Sequence, residues 1–168
     1  ITDKSASGID ATLRNGAAID VIGDWALLNL GQSGGFLDMT AKAGALFRTL
    51  DNYTISMYYR VNKATSLSGN GHFLWAFSTT VANSATSGKY SAYRLNAQRF
   101  ANSTGGYNNE VGIEVGGESA KDEWVHVLYT QKGGTAKLYL NGELAGSSTS
   151  MPANTTNFTE AVNYAWIG

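Results

Sequence analysis

Between residues 72 and 107 the chain sets His72, Trp75, Tyr90, Tyr93, Arg94, Arg99, Phe100 and Tyr107 among Asn96, Gln98, Asn102 and Asn108. Rings offer flat apolar faces, and amides and guanidinia offer hydrogen bonds. That mixture can hold a sugar by stacking on its C–H face and bonding its hydroxyls. The candidate ligand contacts are His72, Trp75, Tyr90, Tyr93, Arg94 and Tyr107. Each competes with a packing role, most strongly Trp75, which is flanked at period two by Phe73 and Phe77. Aromatic and arginine residues together also suit single-stranded nucleic acid, but a formal net charge of -1 leaves no basic excess for it.

Paired carboxyls could hydrolyse a glycosidic bond, and their best candidate is "EVGIE", Glu110 to Glu114. Acids at i and i+4 of an extended strand lie about 13 Å apart by rise alone. A retaining pair needs about 5 to 5.5 Å, and Gly112 stands where a central acid would be. Catalysis is therefore not expected there. His126 shares a strand face with Trp124 and is read as a core residue. No G-x-S-x-G context marks a nucleophilic serine, and the absence of cysteine removes thiol nucleophiles, thiolate metal sites and disulfides. Asp3, Asp10, Asp20, Asp24 and Asp38 are available to a hard cation. Without an EF-hand spacing they read as Asx turns and solvated loops, so no metal ligands are assigned.

The elements that must position these groups are strands. In "NYTISMYYRV" the residues Tyr53, Ile55, Met57, Tyr59 and Val61 alternate with Thr54, Ser56, Tyr58 and Arg60, the period of a half-buried strand. "HFLWAFS" repeats the pattern, and "ALLNL", "FLDM", "YSAYRL" and "VGIEV" are shorter strands bounded by turn residues. One helix is predicted, in "MTAKAGALFRTL", with a glycine in its middle. "WVHVLYTQKGGTAKLYLNGELAG", Trp124 to Gly146, reads as a three-stranded meander. Its first turn uses Gly133 and Gly134, and its second is Asn141-Gly142, the pair preferred where both central residues need positive φ.

Composition agrees. With 168 residues, 20 glycines, one proline and 15% charged residues, the chain fits one β-rich domain with a real core. No stretch reads as a signal peptide or a spanning helix, so membrane insertion is not expected. Sequons at Asn52, Asn102, Asn154 and Asn157 carry no weight in so Asn- and Thr-rich a chain.

Trp-x-His-Val, a Gly-Gly turn and Lys-Leu-Tyr-Leu-Asn-Gly-Glu-Leu together resemble the laminin-G-like branch of the concanavalin A-like lectin/glucanase superfamily. "DKSASGIDATLRNGAAI" is similar to that family's first segment, "WALLNLGQSGGFLDM" to the strand pair that follows, and "LDNYTISMYYRV" to the strand that begins its main sheet. Val125 stands where the family commonly has the first of two histidines. The resemblance implies an all-β jelly-roll sandwich of two antiparallel sheets over residues 1–168. It also implies a further closing strand after "YAWIG", hence a fragment of a larger protein. It points to a non-catalytic carbohydrate-binding or adhesive module of a secreted or surface protein, in an extracellular, cell-surface or periplasmic setting, with appendage to a glycoside hydrolase as one context. A glycoside hydrolase of the same fold and a structural or protein-interaction domain are the alternatives. No cofactor is required, although many relatives hold a structural Ca²⁺.

Overall fold

The computed structural model describes residues 1–31, 34–69, 71–81 and 88–168; Gln32, Ser33 and Asn70, which belong to turns read from the sequence, lie outside them. Thirteen strands are described: β1 (Thr12–Arg14), β2 (Ala18–Ile22), β3 (Trp25–Asn29), β4 (Phe36–Asp38), β5 (Asn52–Arg60), β6 (Phe73–Ser78), β7 (Tyr90–Arg94), β8 (Arg99–Ser103), β9 (Glu110–Glu114), β10 (Trp124–Lys132), β11 (Thr135–Leu140), β12 (Glu143–Ser148) and β13 (Tyr164–Ile167). Two short α-helices, α1 (Thr40–Phe47) and α2 (Asn154–Asn157), and one 3-10 turn over Tyr107–Asn109 complete the set.

The strands form an antiparallel jelly-roll sandwich. One sheet runs β1-β4-β13-β6-β7-β8-β9 and the other β12-β11-β10-β5, while β2 and β3 pair with each other as a separate ribbon. The core lies between the two large sheets, where Tyr59, Trp75, Tyr93, Phe100, Val127, Tyr129 and Leu138 are all buried. Phe100 stacks on Tyr129 with ring centroids 3.5 Å apart, so that rings from opposite sheets meet face to face.

The predicted alternation of β5 holds: Tyr53, Ile55, Met57 and Tyr59 face inward and the residues between them are exposed. The meander also holds, with Asn141 at φ 51° and Gly142 at φ 86° in its second turn. The predicted helix forms as α1, and its glycine is there for closeness. A Cβ on Gly44 would sit 2.0 Å from the Val162 carbonyl oxygen.

Three expectations are corrected. Trp124, His126 and Leu128 face outward, while Val125, Val127, Tyr129 and Gln131 face the core. The register explains it, because the second row is paired with Tyr59, Met57, Ile55 and Tyr53 of β5, and two apolar rows together bury more area than an indole and an imidazole would. Phe73 does not share a face with Trp75 and Phe77. A register shift between Phe73 and Trp75 turns Phe73 outward, against the Ala76–Tyr90–Ala92 cluster. Finally, β3 pairs with β2 rather than with β4, which pairs with β1 and β13. Of the sequon asparagines, Asn102, Asn154 and Asn157 are buried.

Candidate functional site

Three rows of side chains cross the outer face of the seven-stranded sheet. The middle row is small: Ala76 is paired with Ala92, Ala92 with Ala101, and Ala101 with Gly112. A Cβ on Gly112 would lie 2.4 Å from the Phe100 carbonyl oxygen. Larger side chains flank this floor. Ser78, Tyr90, Ser103 and Glu110 run along one side, and Phe73, Arg94, Arg99 and Glu114 along the other.

The flanking rows reach across the floor toward one another. Glu110 accepts a very short hydrogen bond from the Tyr90 hydroxyl on Oε1, and on Oε2 it meets Arg94 Nη2 at 2.8 Å and Arg99 Nη2 at 3.1 Å. The second fork nitrogen of Arg99 reaches Glu114 Oε2 at 2.6 Å. Burial, reinforced by the hydrogen bond and charge of Glu110, pushes the Tyr90 phenol well above its ordinary range. The loop between β8 and β9 brings the Tyr107 ring to 5.4 Å from the Arg94 guanidinium carbon, a cation–π distance. The constellation is layered: Arg94 and Glu110 are buried, with side chains 8% and 5% exposed, and Glu114 and Tyr107 form the outer lip.

Toward the other edge the same face becomes aromatic. Trp166, opposite Ala76 and Asp38, meets Phe36 edge-on at 6.3 Å and Tyr164 at 5.8 Å. Ala76, Ala92 and Ala101 are covered by the flanking side chains, so the surface itself is made of rings at one end and charge-assisted hydrogen bonds at the other, a combination suited to a flat polyhydroxylated ligand.

Of the six candidate contacts, Tyr90, Arg94 and Tyr107 are brought together here. Trp75 and Tyr93 are not. They stack on each other at 5.1 Å between the sheets, 1% and 0% exposed, and their place is in packing rather than at this surface. Tyr90 and Tyr93 differ by an odd number of positions on one strand and so point to opposite faces. His72 stands before β6 in the left-handed region at φ 56°, its Nε2 3.1 Å from the Ser68 carbonyl oxygen. The sequence reading missed Arg99, Glu110 and Glu114 as one cluster with Tyr90. Backbone rise overstated the separation of the two acids, because both carboxylates lean onto the same guanidinium. It also missed Phe36, Tyr164 and Trp166, which only sheet order brings together.

The outer face of the four-stranded sheet is of another kind. Tyr58 stacks on His126 at 4.4 Å, His126 Nε2 lies 2.9 Å from the Ser56 hydroxyl, and Trp124 sits opposite Arg60. His126 is thus half-buried at the surface and not in the core. Four of the five aspartates offered to a hard cation accept hydrogen bonds within the chain. Asp3 takes hydrogen bonds from Ser5 and from the Ile9 backbone, which hold its carboxyl below the usual range. Asp10 accepts from Asp3 N, Asp20 from Asn29, and Asp38 from Arg14 and Thr40. Among the described residues no three His, Cys, Asp or Glu side chains group as metal ligands, and no described helix is long and apolar enough to cross a membrane.

Known proteins can be set beside this geometry. The family profile described as the Concanavalin A-like lectin/glucanases superfamily, of laminin-G type, matches residues 33–168. No curated protein sequence matches the chain. Among solved structures, one similar fold is domain 4 of AbnA, a GH43 extracellular arabinanase from Geobacillus stearothermophilus, in complex with arabinotriose. The identity is 13% and the TM-score 0.66, over 94% of this chain and 72% of that one. Another belongs to a study of botulinum neurotoxin type C, whose cell entry depends on interaction with two ganglioside molecules. There the identity is 17% and the TM-score 0.61, over 99% of this chain but 39% of the toxin chain. The carbohydrate binding module CBM66 from Bacillus subtilis is a third, at 11% identity and TM-score 0.44, over 94% of this chain and 90% of that one.

Proposed function

The chain belongs to the Concanavalin A-like lectin/glucanases superfamily, and from that premise we propose that it is a non-catalytic carbohydrate-binding module whose ligand lies on the outer face of the seven-stranded sheet. The observation that carries this reading is the continuity on one face of the Tyr90–Arg94–Arg99–Glu110–Glu114 cluster with the Phe36–Trp166–Tyr164 rings. A sugar laid over the cluster and the neighbouring rings stacks on the indole and exchanges hydroxyl hydrogen bonds with Arg99, Glu114 and Tyr107. The sugar ligands named for two of the similar folds, arabinotriose and gangliosides, agree with a glycan as the ligand class.

The state of the acids supports binding rather than hydrolysis. Both oxygens of Glu110 are occupied by Tyr90 and two arginines, and Glu114 is held by Arg99. Neither is disposed to protonate a leaving group or to attack, as a glycosidase pair must. We place the module in a larger secreted or surface protein, where polysaccharides and glycoconjugates are found. A tagged full-length protein recovered only from the cytosol would refute that placement.

The test is a glycan and polysaccharide screen in Ca²⁺ and again in EDTA, with aryl glycosides added to detect turnover. The expected result is capture of a defined glycan, released unchanged, and weakened when Tyr107→Ala and Glu114→Gln are combined. Turnover lost in Glu110→Gln would make the domain a hydrolase. Silence of the folded protein in both buffers would remove the carbohydrate reading altogether.

A further inference from the structure

Charge at the cluster is closed. Arg94 and Arg99 supply two positive charges, Glu110 and Glu114 supply two negative ones, and each guanidinium is in direct contact with a carboxylate. Arg94 is buried with its Nη2 committed to Glu110, and both fork nitrogens of Arg99 are engaged. A ligand carboxylate entering here would add a third negative group beside Glu110 and Glu114 without finding a free fork, and bidentate capture of a carboxylate needs a free fork.

The buried side of the cluster carries no ligand position. The Nε atoms of Arg94 and Arg99 are buried and have no hydrogen-bond partner. A buried N–H left unpaired is costly, and these two belong to side chains whose charge is already neutralised. Both lie beneath the surface, out of reach of a ligand, so recognition falls to the rim. On the rim, Arg99 and the half-exposed Glu114 present a donor and an acceptor side by side, 2.6 Å apart. Two neighbouring hydroxyls on a sugar ring match that pair, one accepting from the guanidinium and the other donating to the carboxylate.

We infer that this surface selects uncharged saccharides bearing vicinal hydroxyls, and that it discriminates against uronic and sialic acids. The inference rests on the carbohydrate reading above and narrows it. Glu114 is the specificity-determining residue: it closes the charge of the exposed rim, and it is exposed enough to be changed without disturbing the buried pair beneath.

The experiment measures binding to matched pairs that differ by a carboxylate: lactose and 3′-sialyllactose, xylotetraose and its glucuronic acid-substituted counterpart, and methyl-esterified and free oligogalacturonides. Calorimetry is run on the wild type and on Glu114→Gln. Within the pair that binds, the carboxylated member is expected to be at least about tenfold weaker at low salt. In Glu114→Gln, with one negative charge gone and the shape kept, that ratio should shrink by about threefold or more while the neutral member also loses affinity. Equal or tighter binding of the carboxylated member overturns the inference and leaves the carbohydrate reading standing. An unchanged ratio in Glu114→Gln overturns the role given to that residue. Failure of every pair to bind the folded protein overturns the carbohydrate reading and the inference with it.

Discussion

On the outer face of the seven-stranded sheet, Arg94 and Glu110 are pressed down to 8% and 5% exposure and bonded at 2.8 Å. On the outer face of the four-stranded sheet, the pair Arg60 and Asp122 stands 49% and 42% exposed at 3.4 Å, and Tyr58 and Trp124 are 68% and 52% exposed. Both faces carry aromatic and charged groups on neighbouring strands; they differ in whether those groups are held. Burying an ion pair costs desolvation that its own attraction often fails to offset, so its presence over a floor of alanines favours a role in fixing geometry. Scattered exposed rings are ordinary surface. The difference teaches that the more exposed aromatic face is the less prepared one for a ligand.

The largest effect expected is at alkaline pH. Burial pushes the Tyr53 phenol up to about 12, and raises Tyr90, Tyr93 and Tyr129 still further. These tyrosines titrate near 10 in the unfolded chain, so above that pH the native state holds more protons and stability falls as pH rises. For Tyr53 the loss runs from about pH 10 to about 12, and each such group contributes about 1.4 kcal/mol per pH unit within its window. Urea midpoints at pH 8, 10 and 11 measure this; a curve flat to pH 11 would contradict it.

Glu110→Ala, which strands the buried Arg94, should cost about 3–5 kcal/mol. Arg60→Ala on the other sheet should cost about 1 kcal/mol or less. Equal losses in urea unfolding would erase the distinction between the faces. Gly112→Ala drives a methyl into the Phe100 carbonyl and should cost about 1–3 kcal/mol by the same assay. The smallest effects belong to Tyr107→Ala and Tyr58→Ala, each within about 1 kcal/mol in thermal or urea unfolding. Only the former should weaken glycan binding.

Much of this was legible in the chain. The period of two in "TISMYY" predicted which residues of β5 face the core, and Asn141-Gly142 predicted the turn between β11 and β12. Parity alone separates Tyr90 and Arg94 from Tyr93 on β7, a signal available in the sequence. Other features need pairings that no local pattern carries. The register shift after Phe73 flips one ring, and Val125 rather than Trp124 faces inward because of what β5 places opposite. The cluster itself depends on the β8–β9 register, which sets Glu114 against Arg99 and Glu110 against Ser103. From a single strand, Glu110 and Glu114 look like two distant acids; across two strands they become the two ends of one salt-bridged fork.

The most direct measurement is calorimetric binding of the glycan found by screening to two folded double variants, Tyr107→Ala with Glu114→Gln and Tyr58→Ala with Trp124→Ala. The account predicts that the first loses affinity by about tenfold or more and that the second binds as the wild type does. Loss confined to the second variant would put the ligand on the four-stranded sheet and contradict the assignment of the site.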